Sequence, residues 1–419
     1  MIGTLRVVGF KSLRDVSVDL GIVNVFIGAN GSGKSNLLEA LGVLGAASFG
    51  SVEPETLRYR GVRPGIPSLY KTSFKSRTIP RLIKLSVSAA DADYSVGLDN
   101  PITKPEPRWG IVSETLRSGS RDVLTRSPRG CNGYASPGWR KTPLNPQRSE
   151  TGARLALQQN LEATAARSLL DALVDYAIYA PSTLVLRGLS HDIDREPLGL
   201  GGSGIGEAVR DLTREDEDGN ELLGPFDYDE VWELIEWARW VHAMPADRAP
   251  ISPAVKVGSR VLTFRDRYMA PKRNRLTAYD ASEGALYVLF LLALVSHPRA
   301  PKLFAIDNFD HALHPRLACR LTRMVCEALV RDGSRQMLLT THNPLLLDGL
   351  DLRNERIRLF AVDRARRGER NPEGQPLAPG ETVVRRVKLS EALLDEVENG
   401  MSLSRLWIMG RLGGVPGNL

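Results

Sequence analysis

The sequence predicts an α/β fold in which mixed and parallel sheets carry a helical insertion. Three observations predict it. Short apolar strands alternate with helical segments at both ends of the chain, residues 80–128 alternate polar and apolar side chains as antiparallel strands do, and helical spacing marks two stretches of the middle. On this reading residues 1–150 form an N-terminal lobe, 151–275 a mainly helical insertion and 276–419 a C-terminal lobe.

Residues 2–8 and 22–27 are apolar, rich in β-branched side chains and bounded by glycine, which predicts strands buried in a sheet. The second runs straight into Gly28-Ala29-Asn30-Gly31-Ser32-Gly33-Lys34-Ser35, and residues 36–44 then place leucines at helical spacing. Residues 129–150, rich in Pro, Gly and Arg, read as an exposed loop. Helices are predicted over 152–178 and 228–242. In the second, Trp232, Ile235, Trp237 and Trp240 partly share a face, the mark of a core or partner contact more than of base stacking. The acidic run 214–219 reads as a solvated loop. Beyond residue 276 the pattern is a buried helix over 285–296, a strand over 302–306 ending in Asp307, a helix over 315–331 and a strand over 336–340 with His342 just past it. Such alternation implies a largely parallel sheet, whose ligands gather at the carboxyl ends of its strands. There is no internal repeat and no sustained heptad pattern, so long coiled-coil arms are not expected.

Composition narrows the function classes. The chain has 419 residues, 42% of them hydrophobic and 25% charged, an ordinary globular balance. No apolar run approaches the ~20 residues of a bilayer span, and the first residues read as a strand rather than a signal peptide, so a cytoplasmic protein without a membrane partner is expected. Cys131, Cys319 and Cys326 are odd in number and lack metal-ligand spacing, which points to idle thiols. The net charge of +6 favours polyanions, and residues 104–148 concentrate nine Lys/Arg against three acids, making DNA a candidate ligand there.

The G-x-x-x-x-G-K-S string, set between a strand and a helix, is the pattern of a phosphate-binding loop. Its glycines let backbone N–H groups approach phosphates, Lys34 neutralises the β- and γ-phosphates, and Ser35 offers its hydroxyl to Mg²⁺. Asn36 opens the helix whose positive dipole end adds to the site. Asp307, ending an apolar strand, is the expected further partner of Mg²⁺. His311 and His314 lie three apart but do not form a metal site on this reading.

In order, Gly28 to Ser35, Asp280-Ala281-Ser282-Glu283-Gly284, Phe304-Ala305-Ile306-Asp307 and Thr340-Thr341-His342-Asn343-Pro344 resemble the motifs of ABC-type ATPases. More narrowly, with Gly9-Phe10-Lys11-Ser12-Leu13 as a first hairpin and His314-Pro315 after the aspartate strand, the chain resembles the bacterial RecF/SMC-like group. That group includes the ATPase parts of OLD-family nucleases and many anti-phage systems. The motifs frame the first ~50 residues and those from ~276 to ~350. The resemblance implies a P-loop NTPase fold like an ABC or SMC head, with ATP and Mg²⁺ as cofactors. It implies that Ser282, Glu283 and Gly284 form a signature turn reaching the γ-phosphate on a second subunit, so that a homodimer or larger homo-oligomer completes the site. It makes His342 the switch histidine.

One departure bears on activity. Where the family usually carries a glutamate that polarises the attacking water, this chain has Asn308, and loss of a general base commonly costs about 10²- to 10⁴-fold in rate. Asp310 could substitute, or Asn308 could orient water only, since positioning dominates phosphoryl transfer. The expected function is a slowly hydrolysing, nucleotide-dimerised ATPase controlling a DNA-maintenance or anti-phage assembly with a separate effector chain. The alternatives are a nucleotide-gated scaffold with negligible hydrolysis and, less well supported, a transporter ATPase subunit, against which the long stretch between Ser35 and Ser282 argues.

Overall fold

The computed structural model describes residues 1–75, 77–215, 221–252, 260–371 and 374–412. The chain opens with a hairpin, β1 (Ile2–Phe10) and β2 (Leu13–Asp19), then passes through β3 (Val23–Ile27) and the glycine loop into α1 (Lys34–Phe49). After the short α2 (Pro54–Arg58) come β4 (Ile83–Ala89), β5 (Ala92–Asp99), β6 (Gly110–Ser118), β7 (Arg121–Ser127), β8 (Gly130–Ala135) and β9 (Arg140–Leu144). Next are α3 (Ala153–Gln159), α4 (Thr164–Asp175), β10 (Ala177–Tyr179), α5 (Thr183–Leu186) and α6 (Ile205–Leu212). A small meander of β11 (Thr213–Glu215), β12 (Glu221–Leu223) and β13 (Phe226–Asp227) leads into α7 (Tyr228–Leu234), β14 (Ala238–Pro245), β15 (Arg260–Asp266) and β16 (Arg275–Thr277). The last part holds α8 (Glu283–Ser296), β17 (Leu303–Ile306), α9 (Pro315–Asp332), β18 (Gln336–Thr341), β19 (Ile357–Arg364), β20 (Thr382–Val387), α10 (Glu391–Glu398) and α11 (Leu403–Ile408).

The central sheet runs β10-β17-β18-β3-β19-β20, parallel except for β20 at one edge. Strands β3, β10, β17 and β18 are buried along their whole length because both faces of the sheet are covered there. Val23, Val25 and Ile27 join a core built around α8, while Phe26 joins a second core built around α1 and stacks on Phe360 with ring centroids 5.0 Å apart. The same double burial explains why α1 and α8 are apolar nearly all round rather than amphipathic.

The second large sheet, β2-β1-β4-β5-β6-β7-β8-β9, is antiparallel throughout. The side chain of buried Gln336 stitches the two sheets together. Its amide accepts from Ile2 N at 2.9 Å and donates to the carbonyls of Ile2 and Gly21 at 2.8 and 2.7 Å. Among the described residues no helix is long and apolar enough to cross a membrane. The three cysteines are free.

Three sequence expectations need correction. Residues 129–150 are not simply a loop: β8 and β9 pair, Cys131 opposite Leu144 and Gly133 opposite Thr142. The Pro and Arg content that suggested a loop is tolerated because β9 is an edge strand. The helix expected over 228–242 ends at Leu234, and Ala238–Pro245 is a strand paired with β15. Its aromatic and β-branched residues suit a half-buried sheet as well as a helix face, and the pairing decides. Residues 151–275 are therefore a mixture of helices and strands, not mainly helical. Within them, the predicted helix over 152–178 is two helices, and Ala177–Tyr179 leaves to become an edge strand of the central sheet. Of the acidic run, only residues 214 and 215 fall among the described residues, in β11; the rest lies outside them.

Candidate functional site

The loop between β3 and α1 lies where the central strands β3, β17, β18 and β19 end. Gly28 leaves no room for a side chain, since a Cβ there would stand 2.1 Å from the Val362 carbonyl oxygen. Gly33, at φ 113°, would put one 2.2 Å from Thr382 Oγ1. Gly28 is needed for the close approach of the Val362 backbone, and Gly33 for its left-handed conformation and the room it leaves to the Thr382 side chain.

Lys34 folds back over the loop it follows. Its buried ammonium donates to the carbonyls of Gly28 and Ala29 at 2.8 and 3.0 Å and lies 3.3 Å from His342 Nδ1. Burial pushes its pKa down to about 8, against the opposing pull of Asp307 and Asp310. Burial, and then the Lys34 charge, hold the His342 imidazole below its usual range, so at neutral pH the ring is uncharged.

The Ser35 hydroxyl donates to Asp307, with Oγ 3.0 and 2.9 Å from the two carboxylate oxygens. Thr340 Oγ1 donates to Asp307 Oδ1 at 2.5 Å and accepts from Asn308 N at 2.9 Å. One buried threonine on β18 thus orients both residues that end β17. Asn308 is exposed and left-handed at φ 58°, and its carbonyl accepts from Tyr287 Oη on α8 at 3.3 Å. Asp310 accepts from Thr341 Oγ1 at 2.6 Å.

The remaining loop residues are held from β19, β20 and the first hairpin. Arg364 Nε donates to the Gly31 carbonyl at 2.7 Å, and Thr382 Oγ1 to the Ser32 carbonyl at 2.7 Å. Ser12 Oγ lies 2.7 Å from Thr382 Oγ1 and accepts from Asn36 Nδ2 at 2.8 Å. Asn30 and Gly31 are exposed at the loop tip. Ser32 Oγ is buried without a hydrogen-bond partner in the chain. An orphaned hydroxyl beside the first-turn N–H groups of a helix, with a buried ammonium close by, is a donor set that fits a polyphosphate. The Ser35–Asp307 oxygen pair fits a hard divalent cation.

The turn at 280–284 has other neighbours. Ser282 caps α8 and is exposed; its Oγ accepts from Ala285 N at 3.4 Å and from Trp237 Nε1 at 3.2 Å. Glu283 accepts from Thr183 Oγ1 and lies 3.8 Å from His311 Nε2. Gly284 is half-buried, and His314 caps α9 by accepting from Arg316 N. The structure therefore brings Lys34, Ser35, Asp307 and His342 together, with Asn308 at the rim, and leaves Ser282, Glu283 and Gly284 on contacts of their own. Sequence reasoning missed Thr340, Thr382 and Arg364 and gave Ser12 no role; only Thr340, adjoining the Thr-His-Asn-Pro string, carried a local signal.

With this geometry, the family described as "AAA domain, putative AbiEii toxin, Type IV TA system" matches residues 23–348. The chain belongs to this family. The match begins at the first residue of β3 and extends past His342, so it takes in the AAA cradle apart from Ser12, Arg364 and Thr382. Among curated proteins none matches. Similar solved structures are SMC heads. The SMC head bound to the C-winged helix domain of ScpA is 13% identical with a TM-score of 0.52, over 94% of this chain and 99% of that one. The SMC head domain from Thermotoga maritima is 13% identical with a TM-score of 0.44, over 93% and 99%. At that level the first likeness speaks for fold: this AAA domain has the P-loop NTPase architecture of an SMC head.

Proposed function

We propose that the chain binds MgATP in the Gly28–Ser35 cradle, hydrolyses it slowly, and dimerises on nucleotide to control a DNA-maintenance or anti-phage defence assembly in the cytoplasm. The observation that carries this reading is the convergence of Lys34, Ser35, Asp307 and His342 at the ends of parallel strands. Lys34 exchanges the Gly28 and Ala29 carbonyls for β- and γ-phosphate oxygens. Ser35 and Asp307 would hold Mg²⁺, which would supply positive charge to offset that developing on the phosphates. Neutral His342, beside Lys34, faces the γ-phosphate end, and Asn308 orients water there. Asp310, fixed by Thr341, is the nearest candidate to take up a proton. The Ser282–Gly284 turn, with Ser282 exposed, offers the N-terminus of α8 to the nucleotide of a second copy. The family's toxin and Type IV TA system description supports a defence role, and we infer a separate effector chain.

A second reading, a nucleotide-gated scaffold with negligible turnover, is favoured by Asn308 itself, because no carboxylate stands at the residue after Asp307. Equilibrium ATP binding, turnover, and mass in solution with and without ATP test both. The substitution Asn308→Glu separates them: a rise in turnover of about tenfold or more fits an attenuated hydrolase, whereas an unchanged near-zero rate fits the scaffold. A wild-type chain that ignores ATP defeats both readings.

A further inference from the structure

The outer face of the β14–β15–β16 sheet carries a charge arrangement that neither the fold nor nucleotide binding uses. Register sets Trp240, Arg265 and Arg275 side by side across the three strands. Arg265 and Arg275 are exposed and directly opposed, and like charges at such a position weaken a sheet. Arg239, Lys272 and Arg273 are exposed nearby, and none of the five forms an ion pair among the described residues; neighbouring ion pairs use Arg210, Arg299 and Arg320 instead. The local carboxylates are engaged or peripheral. Asp266 accepts from the N–H groups of Tyr268 and Met269, Asp280 accepts from Thr277, and Glu236 is exposed in the link before β14.

We infer that this face binds the phosphodiester backbone of a nucleic acid. An unneutralised cross-strand arginine pair is relieved by an anion, and guanidinium forks match phosphate oxygens. Three adjacent strands span about 10 Å, over which a nucleic-acid strand presents about three phosphates. Trp240 already stacks on His242 at 4.1 Å and carries the Arg265 guanidinium at 5.6 Å, so the ring serves as a support for the cation, and recognition is of backbone rather than base. In the basic stretch 104–148, Arg108 pairs with Glu53, Arg117 with Asp122, and Arg126 donates to the carbonyls of Gln147 and Glu150, whereas Arg140 and Lys141 are exposed and serve below as the competing surface.

The face also reaches the signature turn. Arg267, at the end of β15, holds the Trp237 carbonyl through its N–H and the Ala238 carbonyl through its guanidinium, and Trp237 Nε1 donates to Ser282 Oγ. Nucleic acid on the sheet therefore reports to Ser282 through Trp237, a step that rests on the ATPase reading above.

The test uses the full chain and fluorescence anisotropy with labelled duplex DNA, single-stranded DNA and RNA of one sequence, each about 30 nucleotides, at about 50 and 200 mM salt. Arg265→Glu with Arg275→Glu is expected to weaken binding at least tenfold while leaving the melting temperature nearly unchanged, since one like-charged cross-strand pair replaces another. Arg140→Glu with Lys141→Glu, on the β8–β9 hairpin, is expected to change it less than about threefold. Trp237→Phe keeps DNA affinity and abolishes stimulation of ATP turnover by DNA.

The surface is overturned if wild type binds no nucleic acid, if both double variants bind alike, or if only anionic vesicles or polyglutamate are captured. The coupling is overturned if DNA leaves the ATP turnover of the wild type unchanged, or if Trp237→Phe is still stimulated. ATP binding measured on the same samples keeps failures apart: a chain that binds DNA through Arg265 and Arg275 but ignores ATP defeats the ATPase reading and leaves the surface standing.

Discussion

The Gly28–Ser35 loop and the Ser282–Gly284 turn each lead into the N-terminus of a buried helix, yet the chain encloses one and leaves the other open. Around the loop, strands from distant parts of the sequence converge: β17 and β18 bring Asp307 and Thr340, β19 brings Arg364, β20 brings Thr382 and the first hairpin brings Ser12. Ser282, by contrast, is exposed and bonded to Trp237 and its own helix. A cradle that is ordered within one chain can bind ligand alone. An open helix N-terminus offers donors to something beyond the chain, which is the division of labour the proposed dimer requires.

The largest effect that would sharpen this contrast is expected from Lys34→Ala. It removes the one buried ammonium of the cradle and should weaken ATP binding about 100-fold in an equilibrium titration. A loss under about threefold would mean the loop does not hold phosphate by this residue.

A smaller effect should follow pH. Because the nucleotide-free Lys34 loses its proton near pH 8, affinity should be flat below about pH 7 and fall towards tenfold per unit above pH 8. The same shift has a stability sign: between about 8 and 10.5 the unfolded chain binds more protons at this lysine than the folded one, so its destabilising contribution, full below pH 8, is relieved as pH rises. Affinity independent of pH from 7 to 9 would contradict the role given to the ammonium.

The smallest effect on affinity belongs to the other region. In dilute protein Ser282→Ala should lower ATP binding by less than about threefold, yet abolish the ATP-dependent rise in mass seen by light scattering. If the mass still doubles, the turn does not close the dimer. If affinity falls as far as with Lys34→Ala, the two regions are not separate.

Much of this site was legible because its signals are local. A strand, a glycine loop and a helix in succession need only neighbouring residues to announce phosphate binding, and an aspartate or histidine at the end of an apolar strand is marked by the strand itself. Thr382 carried no such mark, since its bonds to Ser32 and Ser12 span hundreds of residues. The hairpin of β8 and β9 was hidden by the glycines of β8 and by Pro143, which the edge position of β9 tolerates. The segment of β14 was hidden by aromatics whose spacing suits either a helix or a sheet.

By itself, then, the sequence determined the α/β class, the order of its motifs and the asparagine after Asp307, because these depend on side-chain chemistry and short-range periodicity. Only tertiary structure decided that Thr340 orients Asp307 and Asn308 together, that Arg265 faces Arg275, and that Trp237 touches Ser282. Such pairings are set by strand register and packing, which spacing along the sequence does not reveal.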